Sequence, residues 1–205
     1  FLNCNVLAMD LSLTSLSYAK RKTQELGIKN IEYMQGDILK LNQLEREFDI
    51  IECVGVLHHM DDPLAGWKVL VGKLRADGVM KIGLYSEIAR QSIVNARKDI
   101  AKKEYTSSPD DIRRYREEII NVVTKSNPGI LEATDYYDFF TLSECRDLLF
   151  HVQEHRFTLL QIKEALNDLG LKFLGFELGK SWIRNEFSKL YPEKDAVLSL
   201  PLWHQ

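Results

Sequence analysis

Val6-Leu7-Ala8-Met9-Asp10-Leu11-Ser12 is a short apolar run that ends on an acid and then on a helix-capping residue. A continuous apolar run of this length suits a strand buried on both faces. Ser12 can cap a helix in which Leu16, Ala19, Thr23 and Leu26 share one face, and Gly27 stands where such a helix stops. Residues 31–34 read as a second strand ending at Gly36-Asp37. Residues 48–57 read as a third, interrupted only by Asp49, Glu52 and Gly55. Asp62-Pro63 then opens a helix, the acid as cap and the proline at the first helical position. Leu64, Trp67, Leu70, Val71 and Leu74 follow at helical spacing, Asp77-Gly78 ends the run, and residues 79–85 form the fourth strand. Alternating buried strands and helices predict an α/β fold with an open, mostly parallel sheet flanked by helices.

From residue 88 the texture turns helical. Helices are expected near 88–104 and from Ser108-Pro109 to about 125, with Asn127-Pro128-Gly129 as a break. Thr141-Leu142-Ser143-Glu144 and Thr158-Leu159-Leu160-Gln161 have capping-box spacing, so helices should begin at both. Gly170 closes the second of these, and residues 171–178 resemble a late strand. The predicted organisation is a cofactor-binding core over 1–87 and a helical, substrate-covering insertion or lid over 88–157. A helix and strand over 158–205 then return to the sheet.

Composition removes several classes of function. Lys and Arg number 27 against 30 Asp and Glu, a net charge of -3, so no general attraction to nucleic acid or to a membrane surface is expected. Cys4, Cys53 and Cys145 are too few and too scattered for a zinc site or a disulfide framework, and they suit a reduced, cytoplasmic setting. No apolar run is long enough to cross a bilayer.

In open α/β sheets ligands bind outside the carboxyl ends of the strands, and three such ends carry chemistry here. Asp10 can accept both hydroxyls of a ribose with its two oxygens, or simply cap the helix behind it. Asp37, after a Gly36 that permits a tight turn, can accept from an adenine amino group while Ile38 covers a face of the base. In Glu52-Cys53-Val54-Gly55-Val56-Leu57-His58-His59-Met60, Gly55 allows close backbone approach to a ligand. Adjacent histidines on an extended segment point opposite ways, which favours loop anchoring over a metal site, so no metal is expected.

In order and spacing, Asp10-Leu11-Ser12, Gly36-Asp37-Ile38, Phe48-Asp49-Ile50-Ile51 and Val56-Leu57-His58-His59-Met60 resemble the class I, Rossmann-like, S-adenosylmethionine-dependent methyltransferase family over residues 1 to about 87. The resemblance implies S-adenosylmethionine as cofactor. By it, Asp10 would bind the ribose hydroxyls, Asp37 and Ile38 would contact the adenine, and Val54, Gly55, Val56 and Leu57 would line the methionine arm, with Leu11 and Gly36 also counted among the cofactor-binding residues. The family's Gly-rich turn after the first strand has no counterpart before Asp10, and no closing antiparallel strand is evident. The expectation is therefore a domain cut before its first strand, clipped at its far end, and weak in cofactor binding by itself. Asp147-Leu148-Leu149-Phe150-His151 and Glu154-His155-Arg156-Phe157-Thr158 resemble bacterial methyltransferase domains joined to tetratricopeptide repeats.

The methyl acceptor, small molecule or protein, is not legible. Tyr137, His151 and His155 are the candidates for touching it, none is assigned as a general base, and Arg113, Arg114 and Arg116 read as a solvated face. Two other readings stay in view. A nicotinamide-dependent (NAD) oxidoreductase also wants an acid at Asp10, though G-x-G-x-x-G is absent. A non-catalytic interaction module derived from the same fold is the other.

Overall fold

A computed structural model describes residues 4–122, 132–150 and 153–205. The chain divides into two compact units, one of residues 1–53 with 62–82 and the other of residues 54–61 with 83–205.

In the first unit, strand β1 (Val6–Asp10) lies parallel to β2 (Ile31–Gln35), with Val6 opposite Ile31 and Asp10 opposite Gln35. Helix α1 (Leu13–Glu25) makes the crossover that parallel strands require. Ser12 caps it, accepting from the Ser15 amide at 3.2 Å, and Gly27 ends it in the left-handed region at φ +69°. Of the expected apolar face, Leu16 is buried and Leu26 is exposed, while the Thr23 hydroxyl meets the Tyr33 hydroxyl at 2.7 Å. Beyond β2, a 310 turn (Ile38–Gln43) buries Ile38 and Leu41 and packs on helix α2 (Pro63–Val71), which buries Trp67 and Leu70. Asp62 caps α2 through the amides of Leu64 and Ala65, both at 3.0 Å. Strands β3 (Phe48–Val54) and β4 (Leu74–Gly83) pair in a second two-stranded sheet, and Arg75 grips both oxygens of Asp49 at 2.9 Å.

The second unit is mainly helical. Helices α3 (Gln91–Lys102), α4 (Pro109–Val122) and α5 (Leu142–Phe150) share a core that includes Ile93, Ala96, Ile112, Tyr115, Phe139 and Leu149. Tyr115 sits fully buried in it because its hydroxyl donates to the Ala96 carbonyl at 2.9 Å, so no polar atom is stranded. Helices α6 (Leu159–Asp168), α7 (Ser181–Leu190) and α8 (Leu200–Trp203) follow, with Trp203 stacked on Phe187 at 3.7 Å.

Three expectations are corrected. Helix α2 stops at Val71 on Gly72, and residues 74–78 already belong to β4. The Asp77-Gly78 signal is a kink within that strand, Asp77 taking φ +65°, not a helix stop. The third strand ends at Val54, where Gly55 turns the chain at φ +79° into a 310 turn (Leu57–His59). Residues 171–178 form no strand, and Gly175 at φ +127° interrupts the alternation that a ladder needs.

Both oxygen-to-amide bonds of the Thr158 capping box are present. The hydroxyl accepts from the Gln161 amide at 3.3 Å, and the Gln161 side chain accepts from the Thr158 amide at 2.8 Å. Thr158→Ala should therefore cost about 1 kcal/mol. Urea unfolding checks this: a lower midpoint with an unchanged slope is expected, and an unchanged midpoint would contradict it.

Candidate functional site

The carboxyl edge of the β1–β2 pair carries two acids, Asp37 as the cap of the 310 turn after β2 and Asp10 just ahead of the Ser12 cap of α1. Asp10 is exposed at the end of β1, and its Oδ1 accepts from the Ser12 amide at 2.7 Å. Asp37, half-buried, follows β2, and its Oδ1 accepts from the Leu39 amide at 2.9 Å. The remaining oxygen of each accepts from no described side chain or amide. The two loops are tied together, since Gly36 donates to the Asp10 carbonyl at 3.1 Å and the Gln35 side chain to the Leu11 carbonyl at 3.0 Å. A Cβ at Gly36 would lie 3.0 Å from the Met9 sulfur, a contact that the methionine side chain would have to yield to. Leu11 is 70% exposed, whereas Ile38 is buried beneath its own turn.

The second unit holds the other strand end. Val54 and Val56 are exposed, Leu57 is fully buried, and Gly55 sits between them with nothing within 4 Å of where a Cβ would stand. Its requirement is therefore conformational, a positive φ, and not steric. Facing it, Gly83 is required by space, because a Cβ would approach Val54 Cγ1 to 2.7 Å.

His58 and His59 lie on a 310 turn, not on extended backbone, and their rings are 4.3 Å apart. This corrects the premise that they point opposite ways. No group of three or more His, Cys, Asp or Glu suited to a metal occurs among the described residues. His58 is 1% exposed and stacks on Tyr85 at 3.8 Å, with Arg90 over the other ring at 3.9 Å. Neither of its ring nitrogens makes a full hydrogen bond, and the Gly83 backbone offers it a weak one. Burial lowers its pKa to about 4, with the His59 charge acting in the same direction, so the ring is neutral. His59 is half-buried, its Nδ1 3.1 Å from the Gln153 carbonyl, which requires the proton to sit on Nδ1.

Of the acceptor candidates, Tyr137 is 91% exposed on a 310 turn (Tyr137–Phe140). His155 is half-buried, and its backbone amide donates to the His58 carbonyl at 2.8 Å. His151 lies outside the described residues. Arg113 and Arg114 pair with Asp110 and Asp111 on their own helix, and Arg116 donates to the Phe140 carbonyl at 2.7 Å.

Sequence reasoning missed Glu154, whose side chain is 1% exposed and accepts from Arg90 Nη2 at 2.5 Å and Arg97 Nη2 at 3.0 Å. Burial by itself would raise its pKa. The Arg90 hydrogen bond and the charges of Arg97, Arg90 and Arg156 overcome that and hold it below the usual range. Within Gln153-Glu154-His155-Arg156 it reads as one more solvated charge, and only the folded chain reveals otherwise.

Three comparisons bear on this geometry. Residues 1–82 match the methyltransferase domain family. An uncharacterised protein of Synechococcus is 29% identical over 99% of this chain, which spans about half (50%) of that relative's length. PKMT2 of Rickettsia typhi superimposes with a TM-score of 0.69 at 18% identity over 98% of this chain and 40% of its own. Its complex with AdoHcy gives 0.70 at 16% identity over 97% and 41%. Both show a shared fold. Among the described residues no helix is long and apolar enough to cross a membrane.

The buried His58 makes a pH prediction. Its folded pKa, about 4, lies below the unfolded value near 6.5, so acid favours the unfolded chain. Its contribution is intact above pH 6.5 and is lost as pH falls toward 4, reaching about 2 kcal/mol near pH 5. In urea titrations near pH 7.5 and near pH 5, His58→Phe should show about 2 kcal/mol less acid destabilisation than the parent. Equal losses would remove His58 as the source.

Proposed function

We propose that this chain, whose residues 1–82 match the methyltransferase domain family, is a class I, Rossmann-like methyltransferase that binds S-adenosylmethionine and directs its methyl group to an acceptor. The observation that carries the reading is the pair of carboxylates at one edge of two parallel strands, each with an oxygen left over after its turn hydrogen bond. That acceptor set fits the cofactor. Asp10 would accept from the ribose hydroxyls and Asp37 from the adenine amine, both groups that a carboxylate recognises. Gly36, Leu11 and Ile38 belong to the same two loops. Val54, Gly55, Val56 and Leu57 would receive the methionine arm, Gly55 offering open backbone.

The bound cofactor supplies an electrophilic methyl on a sulfonium. The protein's part is to fix its orientation and admit the acceptor in line, since alignment supplies much of such an acceleration. Residues 88–157 are given the choice of acceptor in this reading, with Tyr137, His151 and His155 as the groups to test first. The activity proposed is that of the intact protein carrying this chain. A cytoplasmic place accords with the few, scattered cysteines at 4, 53 and 145.

Calorimetric titration of S-adenosylhomocysteine into the intact protein, with NAD in parallel, tests the cofactor. Saturable binding of the first alone is expected, and binding of NAD alone would move the case to an oxidoreductase. Asp10→Ala and Asp37→Ala should each weaken binding by about 1.5–3 kcal/mol, the scale of a hydrogen bond to a charged group. Undiminished affinity in both, with circular dichroism unchanged, would remove them from the site.

A further inference from the structure

The segment Gln153-Glu154-His155-Arg156-Phe157 touches the turn after β3 at three consecutive residues. The His155 amide donates to the His58 carbonyl at 2.8 Å, His59 Nδ1 donates to the Gln153 carbonyl at 3.1 Å, and Gln153 Nε2 donates to the Met60 carbonyl at 3.2 Å. The other end of the segment is pinned to the chain that follows β4. Phe157 donates to the Tyr85 carbonyl at 2.8 Å, Glu87 donates to the Phe157 carbonyl at 3.0 Å, and Ser86 and Phe157 form a parallel bridge.

What fixes the segment between these ends is the Glu154 carboxylate. It accepts from Arg90, just before α3, and from Arg97 within α3. Arg97 Nη2 also donates to the Leu148 carbonyl near the end of α5, at 2.8 Å. One buried anion thus ties the segment to α3, and Arg97 carries the tie on to α5.

Within the turn itself, His59 donates to the Val56 carbonyl at 3.0 Å and Met60 to the Leu57 carbonyl at 3.1 Å. A 310 turn three residues long has poor internal hydrogen bonding. Val54 and Val56 are exposed, and Gly55 swings at φ +79° with no neighbour within 4 Å. Leu57 and the His58 ring are its buried anchors. Without the bonds from 153–155, the polypeptide from 58 to 60 would lose the partners that set its path.

We propose that residues 153–157 form a strap that positions residues 54–60, with Gln153 and Glu154 as its positioning residues. Resting on the reading above, the strap shapes the turn that receives the methionine arm and ties that turn to α3 and α5 of the helical insertion. Gln153 and Glu154 act through the turn and touch neither cofactor nor acceptor.

The test combines hydrogen–deuterium exchange with titration of S-adenosylhomocysteine, both on the intact protein. Gln153→Ala removes the bond to Met60, and His59→Ala removes the bond to the Gln153 carbonyl. Each should speed exchange in peptides spanning 54–60 about fivefold or more while α4 stays protected, and each should weaken binding about 5- to 10-fold, the worth of one hydrogen bond. His59→Asn, whose amide N–H can stand near the Nδ1 position, should recover both. Exchange over 54–60 that stays at the parent rate in Gln153→Ala and His59→Ala would overturn the strap. Faster exchange with full affinity, while Asp10→Ala still weakens binding, would overturn its link to the cofactor and leave the function standing. If the parent protein binds no S-adenosylhomocysteine, the functional reading falls, and the exchange rates still decide whether the strap positions the turn.

Discussion

A carboxylate sealed from water among guanidinium groups organises the second unit. Glu154 meets Arg90 and Arg97 directly, with Arg156 Nη1 at 3.8 Å and Arg156 in turn bonded to Glu87 at 3.0 Å. Removing a charge from water costs several kcal/mol, and a buried pair offsets that only through good geometry and further hydrogen bonds. Here Arg90 uses two nitrogens on the two Glu154 oxygens, which satisfies the condition. The set holds three cations and two anions, so another positive charge nearby would be unfavourable. His58, stacked on the Tyr85 ring that Arg90 covers, is kept neutral chiefly by its burial.

The first unit solves a different problem with the same side-chain chemistry. Asp10 and Asp37 each accept from an amide two residues on, Asp37 as the cap of its 310 turn and Asp10 just ahead of the Ser12 cap. An oxygen held by its own turn fixes the carboxylate plane, so the second oxygen projects in a set direction with little rotamer entropy left to lose. The Gly36-to-Asp10 and Gln35-to-Leu11 bonds extend that rigidity from one loop to the other.

Local rules carried much of the fold. Ser12, Asp62 and Thr158 cap the helices expected of them, since a cap depends on residues within one turn. The parallel β1–β2 pair follows from apolar runs separated by a helix of the right length. Errors arose where a local signal has two structural meanings. Asp77-Gly78 can stop a helix or kink a strand, and the neighbouring strand decides which. His58-His59 behave as opposed side chains only if the backbone stays extended, and Gly55 had already turned it. Asp10 and Asp37 were legible because strand-end acids follow a pattern in sequence order. Glu154 was not, because its partners Arg90 and Arg97 stand 64 and 57 residues away and nothing in its own neighbourhood marks it as buried.

Gly83 and Val54 illustrate a constraint that an evolving sequence would meet. A side chain at 83 would strike Val54 Cγ1 at 2.7 Å, but also Val54 Cβ and Cα at 3.2 Å. Trimming Val54 removes the first contact and leaves the backbone carbon in place, so no exchange at 54 fully licenses a larger residue at 83. The two positions therefore form a one-sided epistatic pair: a smaller residue at 54 relieves the nearest contact, yet a side chain at 83 still meets the backbone carbon, so drift at 54 opens only part of the door to 83.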